Sequence, residues 1–352
     1  MSERPRIDLF SDTQTRPSRP MREAMANAEV GDEQLGEDPT VRALCAMVAD
    51  LLGKQDALFL PSGTMCNEVA YRAHTQPGDE IILHETSHAV HYEAGGPAAL
   101  SGVTLRTLPG ERGIFTAAQV RSAVRDGAPH TQRSRLVSVE NTTNIGGGAV
   151  WPIDALDGVA ALAHQRGLAT HMDGARLMNA VVASGQPAAA FARGYDSAWI
   201  DLSKGLGAPV GGVLAGSRDF IAEALRFKHQ FGGAMRQAGI IAAAGIYALQ
   251  HNVGRLAEDH ANAQRFARLI AQIDGIELAT DVIETNMIYF EVSGTGLTAP
   301  QTAERLLERG VRIGATSEHR MRAVTHLDVD AAGVDEAARA LAAVADAARR
   351  PS

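Results

Sequence analysis

Residues 168–176 read LATHMDGAR, and residues 197–207 read SAWIDLSKGLG. In both, a short apolar run closes on a charged residue followed at once by glycine, Asp173 in the first and Lys204, three residues after Asp201, in the second. Short apolar runs closed by turn signals read as buried strands. A charge at the end of such a strand sits at the carboxyl edge of a sheet, where open α/β sheets bind ligands. Lys204 therefore has a candidate role beyond snorkelling to solvent.

Outward from these two stretches the same rhythm continues. PTVRALCAMVADLLG (39–53) carries apolar residues at Val41, Leu44, Val48, Leu51 and Leu52, a helical stripe, behind Asp38 as N-cap and Pro39 at the first helical position. ALFL, DEIIL, VTLRTL, RLVSVEN, LATHMD and AWIDLS read as strands with helical patterns between them. This alternation predicts an α/β fold, a mainly parallel sheet covered by helices on both faces. From about Gln237 the texture shifts to a long helical region, then the strand-like IELAT, MIYFEV, VRIGA and MRAVTHL, then a closing helix. The expected division is a large domain over 1–242, including the N-terminal segment, and a smaller α+β domain over 243–352.

Composition narrows the class. The 352 residues are 45% hydrophobic and 21% charged, ordinary for a globular protein, and the formal charge of −8 argues against a nucleic-acid footprint. Two cysteines make no disulfide framework and fit a reducing cytoplasm. Neither a secretory leader nor a membrane-length apolar run is visible.

Chemistry gathers at three strand ends. ALFLPSGTMCNEVA places Ser62, Gly63 and Thr64 between a strand and a helix, where helix-start N–H groups and the dipole favour a phosphate. With Asp173 and Lys204 at two later strand ends, the set suits pyridoxal 5'-phosphate: a phosphate cradle, a carboxylate for the pyridine nitrogen and an amine for the aldehyde.

The chain resembles the low-specificity L-threonine aldolases, of the fold-type-I (aspartate-aminotransferase-like) class. The resemblance rests on SDTQTRPS, LFLPSGTMCN, DEIILHETSHAVHYEAGG, ENTTNIGGG, HMDGARLMNA, LSKGLGAPVGGVLAG, GGAMRQAGIIAAAGIYAL, TNMIYFEV and RAVTHLD, in order from residue 11 to 328. It implies a seven-stranded, mostly parallel sheet in the large domain. It also implies retro-aldol cleavage of a β-hydroxy-α-amino acid to glycine and an aldehyde, in a cytoplasmic homotetramer with active sites at subunit interfaces.

Residue by residue, the resemblance makes Lys204 the covalent carrier of the cofactor and Asp173 the partner of its ring nitrogen. Arg176 would lie near the cofactor and the substrate carboxylate. Ser62, Gly63 and Thr64 would hold the phosphate, with Arg236 reaching in from a neighbouring subunit. Ser11 and Arg322 would grip the amino-acid carboxylate, and His88 would stack on the cofactor and take the β-hydroxyl proton. One departure stands out: where relatives read ENTHN, this chain has Thr143, so a roomier pocket over the β-carbon is expected. A β-eliminating lyase, a racemase or an aminotransferase on the same scaffold are the alternatives.

HETSH (84–88) also fits the zinc-peptidase pattern H-E-x-x-H, with His91 and Glu93 as conceivable further ligands. That chemistry needs His84 and His88 on one helix face, whereas DEIIL predicts a strand running into His84.

Overall fold

The computed structural model describes residues 5–349, which form two compact units. One is Pro17–Val253; the other joins the described residues up to Arg16 with those from Gly254 onward. This division differs from the one expected at 242/243, for two physical reasons. The helix Gly239–His251 packs on the helices Arg19–Ala26 and Pro39–Leu52, with Gly245 set closely against Leu44 and Leu202, so it belongs to the large unit. The N-terminal segment pairs Ile7 and Asp8 in parallel with Val311 and Arg312, and Ile7 and Leu9 join the apolar core of the small unit.

The large unit is built on seven strands: β1 (Asp56–Leu60), β2 (Asp79–His84), β3 (Thr104–Leu108), β4 (Arg133–Glu140), β5 (Ala169–Asp173), β6 (Ser197–Asp201) and β7 (Gly212–Gly216). Their order in the sheet is β1-β7-β6-β5-β4-β2-β3. From β6 to β3 every neighbouring pair is parallel, while β7 runs antiparallel to both β1 and β6. The strands β2, β6 and β7 are buried along their whole length, as a sheet covered on both faces requires.

Register brings the chemistry to one edge. Glu140 pairs with Asp173, His84 with Leu108, and Gly212 with both Asp201 and Leu60. The carboxyl ends of β1, β2, β4, β5 and β6 therefore lie together. On leaving β1 the chain turns at once into the helix Gly63–His74; on leaving β2 it turns into the short helix His88–His91.

The small unit has a four-stranded antiparallel sheet, ordered Gly314–Ala315, Arg320–Val324, Met287–Glu291, Glu277–Leu278. Helices Leu256–Ile270, Ala299–Leu307 and Ala331–Arg349 accompany it, and Phe266, Phe290 and Leu341 lie in its core. The long helical region read from the sequence is two helices, interrupted at residues 252–255, where Gly254 falls.

Candidate active site

The strand β6 ends at Asp201, and the turn that follows presents Lys204. Oδ1 of Asp201 accepts from the amide and the hydroxyl of Ser203, both at 2.7 Å, which fixes the turn. Its other oxygen lies 3.2 Å from Nζ of Lys204. The same oxygen would be 3.0 Å from a Cβ placed on Gly63, and that Cβ would stand 2.3 Å from the ring of Trp199. Only glycine fits there. Lys204 also stands over the Trp199 ring, its Nζ 5.8 Å from the centroid. The lysine and the glycine-led helix start thus converge through Asp201 and Trp199. Ser62 caps that helix, its Oγ accepting from Met65 N at 3.2 Å, and the first-turn amides of Gly63 and Thr64 have no intrahelical acceptor.

A second cluster centres on Asn67, one helical turn further along. Its Nδ2 donates to Oδ2 of Asp173 at 2.8 Å and to Oε1 of Glu93 at 2.7 Å. Its carbonyl oxygen accepts from Nε1 of Trp199 at 2.7 Å and meets Nε2 of His171 at 3.1 Å. All four hydrogen-bonding positions of the amide are filled, so Asn67 holds Asp173 and Glu93 at fixed places. Asp173 also accepts from Ala175 N at 3.0 Å. Glu93 Oε1 lies 2.8 Å from Nδ1 of His88.

Charge balance around His88 follows from these contacts. Burial works to lower its pKa, but the hydrogen bond to Glu93 and the charges of Asp173 and Glu93 outweigh burial, against a small opposing effect of Lys204; the net shift is upward. The His88 amide donates to Oε2 of Glu140 at 2.7 Å, and the other oxygen of Glu140 accepts from Asn144 N. Burial, with the charge of Asp173, pushes Glu140 up to about 7 despite those two amides.

The remaining expected residues fall as follows. Arg176 is buried just after Asp173, where the helix Leu177–Ser184 begins. Arg236 donates from Nη1 to Oδ2 of Asp32 at 2.7 Å. In the small unit, Ser11 caps a turn through Thr13 N at 3.2 Å, and Nη2 of Arg322 reaches the carbonyl of Phe10, the residue before Ser11, at 3.4 Å.

Thr143 behaves otherwise than expected. Its side chain is buried, its Oγ1 accepts from Ala149 N at 3.2 Å, and its own amide donates to Ala149 O at 3.1 Å. A Cβ on Gly113 would come within 2.7 Å of its Cγ2, and one on Gly146 within 2.4 Å of its Oγ1. Gly113 and Gly146 thus pack directly against this side chain. HETSH likewise fails the geometric condition for its metal reading. His84 closes β2, with its ring on Thr86 and the Gly110 carbonyl, while His88 opens the next helix with its ring on Glu93.

The sheet order, the single antiparallel strand beside β1, and lysine, aspartate and helix start at one edge define a class, the fold-type-I pyridoxal-phosphate enzymes. A family profile described as beta-eliminating lyase matches residues 8–293. The low specificity L-threonine aldolase of Escherichia coli (strain K12) is 44% identical over 326 residues, which is 92% of this chain and 94% of that one. Low-specificity L-threonine aldolase 1 of Arabidopsis thaliana is 40% identical over 333 residues, 93% of each chain. The solved structure of Leishmania major threonine aldolase matches with a TM-score of 0.81 at 21% identity, over 97% of this chain and 99% of that one, a likeness of fold. The chain belongs to the beta-eliminating lyase family, and it is a pyridoxal-phosphate-dependent aldehyde-lyase.

Sequence reading had missed Asn67, Asp201 and Glu140 as members of the site, and had met Glu93 only as a conceivable zinc ligand. Asp201 carried a signal, the i,i+3 spacing to Lys204 across a turn. Asn67 carried none beyond its place one turn after the phosphate-type glycine.

Proposed function

We propose that the protein cleaves the Cα–Cβ bond of a β-hydroxy-α-amino acid, of the threonine or allo-threonine type, to glycine and an aldehyde. The observation that carries this reading is the convergence of Lys204, the Gly63 helix start and the Asn67-held pair of Asp173 and Glu93 at one sheet edge.

The residues present suit pyridoxal phosphate by the chemistry of their donor set. The amides of Gly63 and Thr64 with the Ser62 and Thr64 hydroxyls offer a phosphate cradle, and a Cβ at Gly63 would spoil it. Asp173 offers a buried carboxylate to a protonated ring nitrogen, and Lys204 offers an amine. Buried Asn141 Nδ2 and Thr142 Oγ1, on the loop that follows β4, have no partner among the described residues, as expected at the wall of a ligand site. When bound, the cofactor supplies the electron sink for the bond-breaking step.

The chain's own residues do the rest. Asp173 would keep the ring nitrogen protonated, and Arg176 would supply positive charge near the cofactor's phenolic oxygen and the substrate carboxylate. Nδ1 of His88 is committed to Glu93, which leaves Nε2 as the atom that takes the β-hydroxyl proton. As that proton leaves, the β-carbon becomes the aldehyde carbonyl and the Cα–Cβ bond breaks; a proton delivered to Cα completes glycine. For the substrate carboxylate we assign Arg322 with Ser11, a task that suits an arginine fork.

A panel of β-hydroxy-amino acids with glycine and aldehyde quantified tests the reading. Pyruvate with ammonia, the enantiomer, or a keto acid as main product would replace it with β-elimination, racemisation or transamination.

Assembly as a homotetramer, with Arg236 completing a neighbour's phosphate site, is part of the same proposal. Its support is an exposed apolar set, Val30, Leu35 and Ile240, within a few residues of the Asp32–Arg236 pair. Light scattering at assay concentration tests it; an active monomer would remove it. Among the described residues no helix is long and apolar enough to cross a membrane.

A further inference from the structure

Glu68 follows Asn67 on the helix Gly63–His74 and is 2% exposed. Among the described residues no N–H or O–H group donates to either of its carboxyl oxygens, and none donates to Oε2 of Glu93. Glu93 lies beside Glu68: Asn67, the preceding residue, donates to Glu93 at 2.7 Å, Gly96, against which Glu68 packs, donates its amide to the Glu93 carbonyl, and the Glu93 charge acts on Glu68. The backbone makes room for this carboxyl: a Cβ on Gly96 would stand 2.1 Å from Oε1 of Glu68. Two buried carboxylates in contact would repel, and neither could donate. One shared proton turns the same contact into a hydrogen bond and satisfies Oε2 of Glu93.

We propose that Glu68 is a positioning residue: as a neutral acid it donates its proton to Glu93, and so holds the carboxylate that orients the His88 ring. Glu93 then receives Glu68 on one oxygen and Asn67 and His88 on the other, which leaves no freedom to its plane. The other titratable groups around this chain of contacts include Tyr71 and Cys66 on the same helix, His171 against Asn67, Asp173 at a strand end, Lys204 in the turn after β6, and Glu140 beneath the His88 amide. Burial first, then the charge and hydrogen bond of Glu93, push Glu68 up to about 9, so the proton stays through neutral pH and leaves on the alkaline side. The stated consequence for His88 rests on its proton-accepting role above.

Two measurements test the proposal, and the first needs no catalysis. Infrared pH-difference spectra of the purified enzyme, with and without carbon-13 glutamate, should show a protonated carboxylic acid that shifts with the label and bleaches near pH 9. Glu68→Gln should abolish that band; its persistence in the variant overturns the assignment of the proton. The second follows the pH dependence of kcat/KM on whichever substrate the panel identifies. Glu68→Leu, lacking a donor, should lower kcat roughly tenfold, as loss of one hydrogen bond to a charged group does. Glu68→Gln should recover most of that loss and move the alkaline limb away from pH 9. A wild-type profile in Glu68→Leu, or an unmoved alkaline limb in Glu68→Gln, overturns the positioning role. Because the infrared band is independent of the reaction, its loss or persistence stands even if the product panel replaces the aldolase reading.

Discussion

Nδ1 of His88 lies 2.8 Å from Oε1 of Glu93, and against burial, the largest single influence, this contact together with the charges of Asp173 and Glu93 makes the ring more basic. A raised pKa means that the unprotonated ring, the form that accepts a β-hydroxyl proton, becomes available only above the ordinary histidine value of 6.5. Activity should therefore rise with pH along a limb displaced upward from that value. Glu93→Gln removes one of the two charges that raise it, Asp173 being the other, so the limb should move to lower pH. His88→Ala should reduce kcat by about 10²–10⁴-fold. A limb that stays in place in Glu93→Gln would mean that another group is titrating.

Lys204→Ala should leave the fold intact. Asp201 would lose its ammonium partner but keep both bonds from Ser203, so its buried carboxylate stays hydrogen-bonded. Covalent attachment of the cofactor, read by absorbance and by borohydride trapping, should disappear together with turnover. Full turnover in this variant would remove Lys204 from the chemistry.

Arg322→Ala should weaken binding of the amino acid while cofactor content stays near that of the parent. Loss of a charge-assisted bond to a carboxylate raises apparent KM roughly ten- to a hundredfold. Within the small unit its printed hydrogen bond is the long one, 3.4 Å, to the Phe10 carbonyl. Unchanged kinetics would clear Arg322 of a substrate role.

The sheet was legible because each strand is a short apolar run closed by a turn residue, and Asp173, Lys204 and Ser62 were legible because each follows such a run. The strand Gly212–Gly216 escaped notice: GVLAG, framed by glycines, looks like a loop, and only pairing with β1 and β6 on either side makes it a strand. The unit boundary escaped for a related reason. The helices Gly239–His251 and Leu256–Ile270 are close in the chain and both helical in pattern, while which core each one joins is a matter of tertiary packing. Asn67, Glu68 and Glu93 look like ordinary polar residues on a helix and a turn. Their roles come from burial, which the local pattern does not encode.

Thr143→His follows from packing. The threonine hydroxyl closes the loop on Ala149, and Gly113 and Gly146 crowd its methyl and hydroxyl. An imidazole has no space without displacing one of these turns, so the variant should be destabilised by about 1–3 kcal/mol, the usual cost of overpacking. Urea midpoints measure this. A variant as stable as the parent, with a shifted diastereomer preference, would show that the side chain at 143 is free to face the substrate.

Glu68 also makes stability depend on pH, with a definite sign. Unfolded, its carboxyl ionises near the ordinary glutamate value of 4.5; folded, it holds its proton up to about 9. Between those values the folded state binds more protons at this site than the unfolded state, so stability falls as pH rises. The contribution of Glu68 is present in full below about 4.5 and is lost as the pH climbs through about 9. Other groups titrate over the same range, so the informative quantity is the difference between the parent and Glu68→Leu, which cannot ionise at this position. The parent should lose stability relative to the variant by up to about 1.4 kcal/mol per pH unit, the slope of one proton. Urea unfolding at intervals from pH 5.5 to about pH 8.5 reads this difference directly. Parallel stability curves would mean that Glu68 ionises alike in both states, and a carboxyl pressed between Glu93 and Gly96 would then have to be reaching water.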